Sequence, residues 1–82
     1  MKVTVLYFAA VRELVGCDSE AVTLPDDVKD VRAFVAWLER ERSALAGRMA
    51  SVRVARNEAF AAASEELADG DVLALIPPVA GG

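Results

Sequence analysis

Val72-Leu73-Ala74-Leu75-Ile76-Pro77-Pro78-Val79-Ala80-Gly81-Gly82 closes an 82-residue chain, and its reading sets the fold. Residues 72–76 are apolar at every position, with no alternation to mark a solvent face. A strand of this kind lies in the middle of a sheet. Pro77 and Pro78 fix φ and lack a backbone N–H, so they end the strand and send the chain along an extended, polyproline-like path. The chain thus ends at the sheet's centre with a tail protruding from one rim. Gly81 and Gly82 have no Cβ, so a partner's narrow channel can close on the backbone and reach the terminal carboxyl group. That group has a reference pKa of about 3.3–3.7, so at neutral pH it is ionised and able to attack an electrophile such as a nucleotide α-phosphorus. A partner enzyme must supply the nucleotide. With glycine at about 7% of average sequences, a terminal Gly-Gly arises by chance in roughly one chain in two hundred. Its weight comes from the direct join to a central strand through Pro77, Pro78 and Val79.

Upstream, residues 67–71 form a turn with Gly70 where positive φ is easiest. Residues 51–55 read as a strand that turns through Arg56-Asn57-Glu58 into a short apolar piece at 59–62. Residues 2–8 alternate: Val3, Val5 and Tyr7 share one face, while Lys2, Thr4, Leu6 and Phe8 share the other. A short helical stretch over 9–15, stopped by Gly16, leads to an antiparallel strand over 20–24. After Pro25, Asp26 or Asp27 is expected to cap a helix in which Val31, Phe34, Val35 and Leu38 recur at three- and four-residue spacing. Lys29, Arg32, Glu39 and Arg40 are assigned to its solvated face, and Gly47 lies just past its expected end. The order describes a compact α+β domain over residues 1–76, one sheet packed on one main helix, followed by the tail at 77–82.

If the helix covers Val3, Val5 and Tyr7, then Leu6 and Phe8 lie on the open face of the sheet. Alternation also turns outward either Leu73 and Leu75 or Val72, Ala74 and Ile76. An apolar open face is a candidate partner site, unless the segment around Phe60 folds over it.

Composition narrows the function. One domain of this size has no room for a deep catalytic cleft of its own. Hydrophobic residues make up 55% and charged residues 27%, which argues against disorder. A net charge of −4 and a pI near 4.6 argue against nucleic acid or an anionic membrane as the main ligand. With no histidine and Cys17 as the single cysteine, neither an internal disulfide nor a Cys/His zinc site can form, and the commonest general base is missing. Residues 1–11 superficially resemble a signal peptide. However, the apolar run is short, it contains Thr4, and cleavage after Ala10 would delete the first strand, so the expected compartment is the cytoplasm. Cys17 reads as an inert thiol rather than a sulfur relay, and Lys2 and Lys29 as solvated surface rather than sites of self-conjugation.

Residues 5–16, Val5-Leu6-Tyr7-Phe8-Ala9-Ala10-Val11-Arg12-Glu13-Leu14-Val15-Gly16, together with Asp69-Gly70-Asp71 and the 77–82 tail, resemble the small subunit of molybdopterin synthase. These are the MoaD-type sulfur carriers, and Arg56-Asn57-Glu58 sits where that family has a similar turn. The resemblance implies a ubiquitin-like β-grasp fold with one mixed sheet, and a chemistry centred on Gly82. A ubiquitin-activating-type adenylating enzyme, using ATP and magnesium, would convert the Gly82 carboxylate to an acyl-adenylate. A sulfurtransferase persulfide would then give a C-terminal thiocarboxylate. In the pocket of the molybdopterin synthase large subunit its sulfur would pass to cyclic pyranopterin monophosphate, towards the dithiolene that holds molybdenum or tungsten.

On this reading Gly82 reacts, Gly81 with Ala80 and Val79 allows access, and Pro78 and Pro77 set direction. Acids, bases and cofactors come from the partners, and this chain binds none itself. Strand parity assigns Leu6, Phe8, Phe60 and Ile76 to docking on the large subunit or the activator. The carrier could instead serve thiamine thiazole, thiolated tRNA or cysteine synthesis. A protein modifier joined through Gly82 to target lysines would share the activated intermediate, and a plain interaction domain would not need Gly82.

Overall fold

The alternation at the start of the chain forms β1 (Lys2–Tyr7), with Val3, Val5 and Tyr7 buried. The computed structural model describes residues 1–78. The expected strand stops one residue early because Phe8 becomes the extended N-cap of a short helix, α1 (Ala9–Val15). Gly16 ends α1 in the left-handed region, φ +91°, and its amide donates to Arg12 O at 2.8 Å. The chain returns as β2 (Ser19–Thr23), antiparallel to β1.

The main helix, α2 (Val31–Glu41), starts later than expected. Asp26 and Asp27 occupy a turn closed by the Val28 amide on Pro25 O, 3.0 Å. Asp30 is the cap, its Oδ1 accepting from Ala33 N at 2.9 Å. The reason is tertiary. Residues 29–31 are recruited by the incoming chain: Leu67 N donates to Lys29 O and Val31 N donates to Glu65 O. Lys29 therefore precedes the helix instead of lying on it.

The helix also ends before Gly47, at Arg42, whose φ of −122° breaks the helical path. Arg42 turns its guanidinium to Glu20, which also accepts from the buried Tyr7 hydroxyl at 2.6 Å. Burial, and next that hydrogen bond, push the Tyr7 phenol above its usual value. A single turn at Ser43–Leu45 then plants the fully buried Leu45 in the core.

Strands β3 (Arg53–Arg56) and β4 (Ala59–Phe60) form a hairpin, and β5 (Val72–Ile76) completes a five-stranded sheet of order β2-β1-β5-β3-β4. β5 lies at the centre, parallel to β1 and antiparallel to β3, so the sheet is mixed. Leu73 and Leu75 face the helix with Phe34 and Leu38, all fully buried. Val72, Ala74 and Ile76 therefore face outward. Among the described residues no helix is long and apolar enough to cross a membrane.

Candidate functional site: the open face of the sheet

The outward side chains of four strands line up across the sheet. Leu6 stands opposite Ala74, Ala74 opposite Ala55, and Ala55 opposite Phe60. Large residues at both ends of this row and alanines in the middle make a groove, because the missing bulk leaves a floor between two walls. Phe8 and Ile76 continue the walls towards the tail. The cavity has a volume of about 440 Å³ and also touches Val72, Asn57 and Glu58. Phe8 and Phe60 are 46% and 55% exposed, unusual for side chains of their size. All four residues that parity assigned to the open face, Leu6, Phe8, Phe60 and Ile76, therefore line one concavity. Phe60 sits on the edge strand as a wall and does not fold over the face. A second hollow, about 450 Å³, lies on the helix side between Val31 and Val35 of α2 and Val52, just before β3, and Arg53 also touches it. The open-face groove is the relevant one, because Ile76 at its rim leads directly into Pro77 and Pro78.

One end of the groove is held by a polar clamp. Asp71 is buried, 5% exposed, and its carboxylate accepts from Arg56 Nε at 2.7 Å, Asn57 Nδ2 at 2.9 Å and Ala68 N at 2.7 Å. Burial alone pushes this carboxyl up, but the hydrogen bonds and the Arg56 charge outweigh it and hold the group below its ordinary range. Asn57 reciprocates, its Oδ1 accepting from Val72 N at 2.9 Å and its backbone N–H donating to Val72 O at 2.8 Å. Asp69 ties in β1 by accepting from Lys2 N at 2.7 Å, and Gly70, at φ +88°, donates to Lys2 O. Asp69-Gly70-Asp71 and Arg56-Asn57-Glu58 thus form one joint between the β3–β4 turn and the start of β5. Its rigidity fixes where the central strand, and so the tail, begins.

Sequence reasoning singled out these two segments but not their mutual contact, nor the alanine floor. An alanine at an outward position of a central strand was the available signal. Pro77, half-buried, and Pro78, exposed, directly follow β5. Val79, Ala80, Gly81 and Gly82 lie outside the described residues. Cys17 is a free, half-buried thiol packed against the core. Among the described residues no group of three His, Cys, Asp or Glu side chains is placed to hold a metal ion.

A mixed five-stranded sheet grasping one main helix, with the central strand running into a Gly-Gly terminus, defines a ubiquitin-like β-grasp protein. The chain belongs to the ThiS family, whose sequence profile matches residues 5–82. It is 41% identical to the molybdopterin synthase sulfur carrier subunit of Mycobacterium tuberculosis, over 100% of this chain and 99% of that protein. Among solved structures it resembles SAMP1 from Haloferax volcanii, with a TM-score of 0.86 and 31% identity over 100% of both chains. It also resembles a chain in the complex of subunits 1 and 2 of the molybdopterin-converting factor from Helicobacter pylori, with a TM-score of 0.71 and 25% identity over 100% of both chains.

Proposed function

We propose that this protein is the sulfur-carrying small subunit of molybdopterin synthase. The observation that carries the reading is an apolar groove whose rim, at Ile76, leads without a linker into the Pro77-to-Gly82 tail, in a chain similar over its whole length to sulfur carrier subunits. The Gly82 carboxylate attacks the α-phosphorus of ATP, held with magnesium by an adenylating enzyme, and pyrophosphate leaves. A sulfurtransferase persulfide displaces AMP from the acyl-adenylate to give an acyl disulfide, and a thiolate then attacks the sulfurtransferase's sulfur, forming a disulfide with it and releasing the thiocarboxylate. Docked on the large subunit through Leu6, Phe8, Phe60 and Ile76, the carrier delivers that sulfur to cyclic pyranopterin monophosphate. The chain supplies a nucleophile and an address, and its partners supply the acids, bases and nucleotide. This division suits a domain whose interior is mostly apolar and has no histidine. The cytoplasm, where ATP is available, is the compartment this chemistry needs.

The test is intact mass after incubation with the adenylating enzyme, magnesium-ATP and a persulfide donor, beside a chain lacking Gly82. Exchange of oxygen for sulfur changes the mass by nearly as much as oxidation of Met1, Met49 or Cys17, so the thiocarboxylate is trapped by alkylation in a Cys17→Ala background. An ATP-dependent, alkylatable shift that requires Gly82 is expected. No shift with an activator competent on another carrier refutes the reading.

The likeness to SAMP1, named elsewhere in the same archaeon as small archaeal modifier protein 1, favours one second reading: a modifier conjugated through Gly82. Covalent adducts on cellular lysines would support it, whereas a carrier is recovered free.

A further inference from the structure

We propose that Arg53 is a specificity-determining residue of the docking face, pairing with a carboxylate on the receiving protein and so fixing the orientation in which the tail is presented. This rests on the reading that the open-face groove docks the large subunit. In the β3–β5 register Arg53 stands opposite Ile76, the last residue before Pro77 and Pro78. Its backbone therefore lies beside the rim where the tail departs, and its side chain reaches over the groove wall formed by Phe60. The guanidinium carbon lies 3.7 Å from the centroid of the Phe60 ring. A guanidinium placed over an aromatic ring is held by the ring's face and still has N–H donors for a carboxylate, which it can meet with two parallel hydrogen bonds.

Among the described residues Arg12, Arg42 and Arg56 each have a carboxylate partner, whereas Arg53, like Arg32, Arg40 and Arg48, has none, and of these four Arg53 is the one stacked on a wall of the groove. Its positive charge is therefore uncompensated within a chain of net charge −4. The far end of the same groove carries the opposite sign. Glu58 lines it beside Asn57, which is bonded to Val72 at the start of β5. The four residue steps from Val72 to Ile76 separate the ends by about 13 Å. The face thus reads positive at the tail end, apolar in the middle and negative at the turn end. An apolar groove alone could accept a partner in either direction. With this pattern a partner bearing a carboxylate beside its tail-receiving channel binds favourably one way and meets like charges the other way.

The experiment measures binding of the molybdopterin synthase large subunit from the same genome to the wild-type chain and to Arg53→Lys, Arg53→Gln and Arg53→Glu, at low and high ionic strength. Phe60→Ala is the control for the groove, and melting curves check every variant. Arg53→Gln is expected to bind about tenfold more weakly and Arg53→Glu about a hundredfold at low salt, with the gap between them closing as the Debye length falls from about 10 Å at 0.1 M to about 3 Å at 1 M. Arg53→Lys keeps most of the affinity. Arg53 is an exposed strand residue whose fold contribution is its stack on Phe60, so its variants are expected to melt no lower than Phe60→Ala, and binding is measured where all are folded. If Phe60→Ala weakens binding but Arg53→Glu stays within twofold of wild type, the inference fails and groove docking stands. Equal, salt-independent losses for Gln, Lys and Glu would also overturn it, because Arg53 would then act only by packing on Phe60. If neither Phe60→Ala nor Arg53→Glu weakens binding, the docking reading itself fails and this inference falls with it.

Discussion

Replacing Phe60 by alanine separates what the groove does for docking from what it does for folding. A phenylalanine side chain can bury about 200 Å², and at 55% exposure about 110 Å² of it still faces water in the free protein. Covering that area at about 25 cal/mol per Å² gives about 2.7 kcal/mol. The Cβ kept by alanine and the ordering of neighbouring side chains reduce the net loss to about 2 kcal/mol, about thirtyfold in Kd. Folding loses less. Phe60 belongs to a two-residue edge strand, and what its ring contributes is partial burial and the stacked Arg53. A loss of about 1 kcal/mol lowers the melting temperature of a domain this size by about 4–8 °C. Calorimetric titration of the large subunit at a temperature where both forms are folded makes the comparison. Ala74→Leu is the complementary change, since it adds apolar bulk to the groove floor without removing a wall. It is expected to weaken docking at least tenfold, whereas a merely greasy patch would bind as well or better. A Kd unchanged within twofold for Phe60→Ala, with the fold intact, would refute the assignment of this face.

The polar clamp predicts a pH effect with a definite sign. The carboxyl of Asp71 is held below its unfolded value, so its contribution is present above that unfolded value and lost as pH falls through the lower folded value. Asp71→Ala strands the amide of Ala68 and the side chain of Asn57 and is expected to cost about 2–3 kcal/mol in urea denaturation at neutral pH. The deficit should shrink at acid pH, and an equal deficit at both would contradict the linkage. At the β3–β4 turn, Asn57 and Glu58 both have positive φ, 50° and 73°, a pair of angles that favours glycine at the second position. Glu58→Gly is therefore expected to stabilise by about 0.5–1 kcal/mol, read as a raised melting temperature.

The local pattern of the chain already contained much of this protein. Period-two alternation at residues 2–8 grouped Val3, Val5 and Tyr7 on one face, the apolar run at 72–76 named the central strand, and both follow from interactions within a few residues. The helix bounds were legible only approximately. Asp26 and Asp27 are as good caps as Asp30 by composition, and the choice fell to Asp30 because Glu65 and Leu67, more than thirty positions later, bond to the backbone at 29–31. Arg42 likewise leaves the helix for Glu20, a partner that no helical spacing brings near.

By itself the sequence determined most of the element types, the grouping of β1 side chains into two faces and a central strand joined through two prolines to Gly81-Gly82. Only tertiary structure decided which outward residues become neighbours. Leu6, Ala74, Ala55 and Phe60 form one row because three separate strand registers align. Each register is set by pairing between distant segments, and a one-residue slip in any of them would break up the groove.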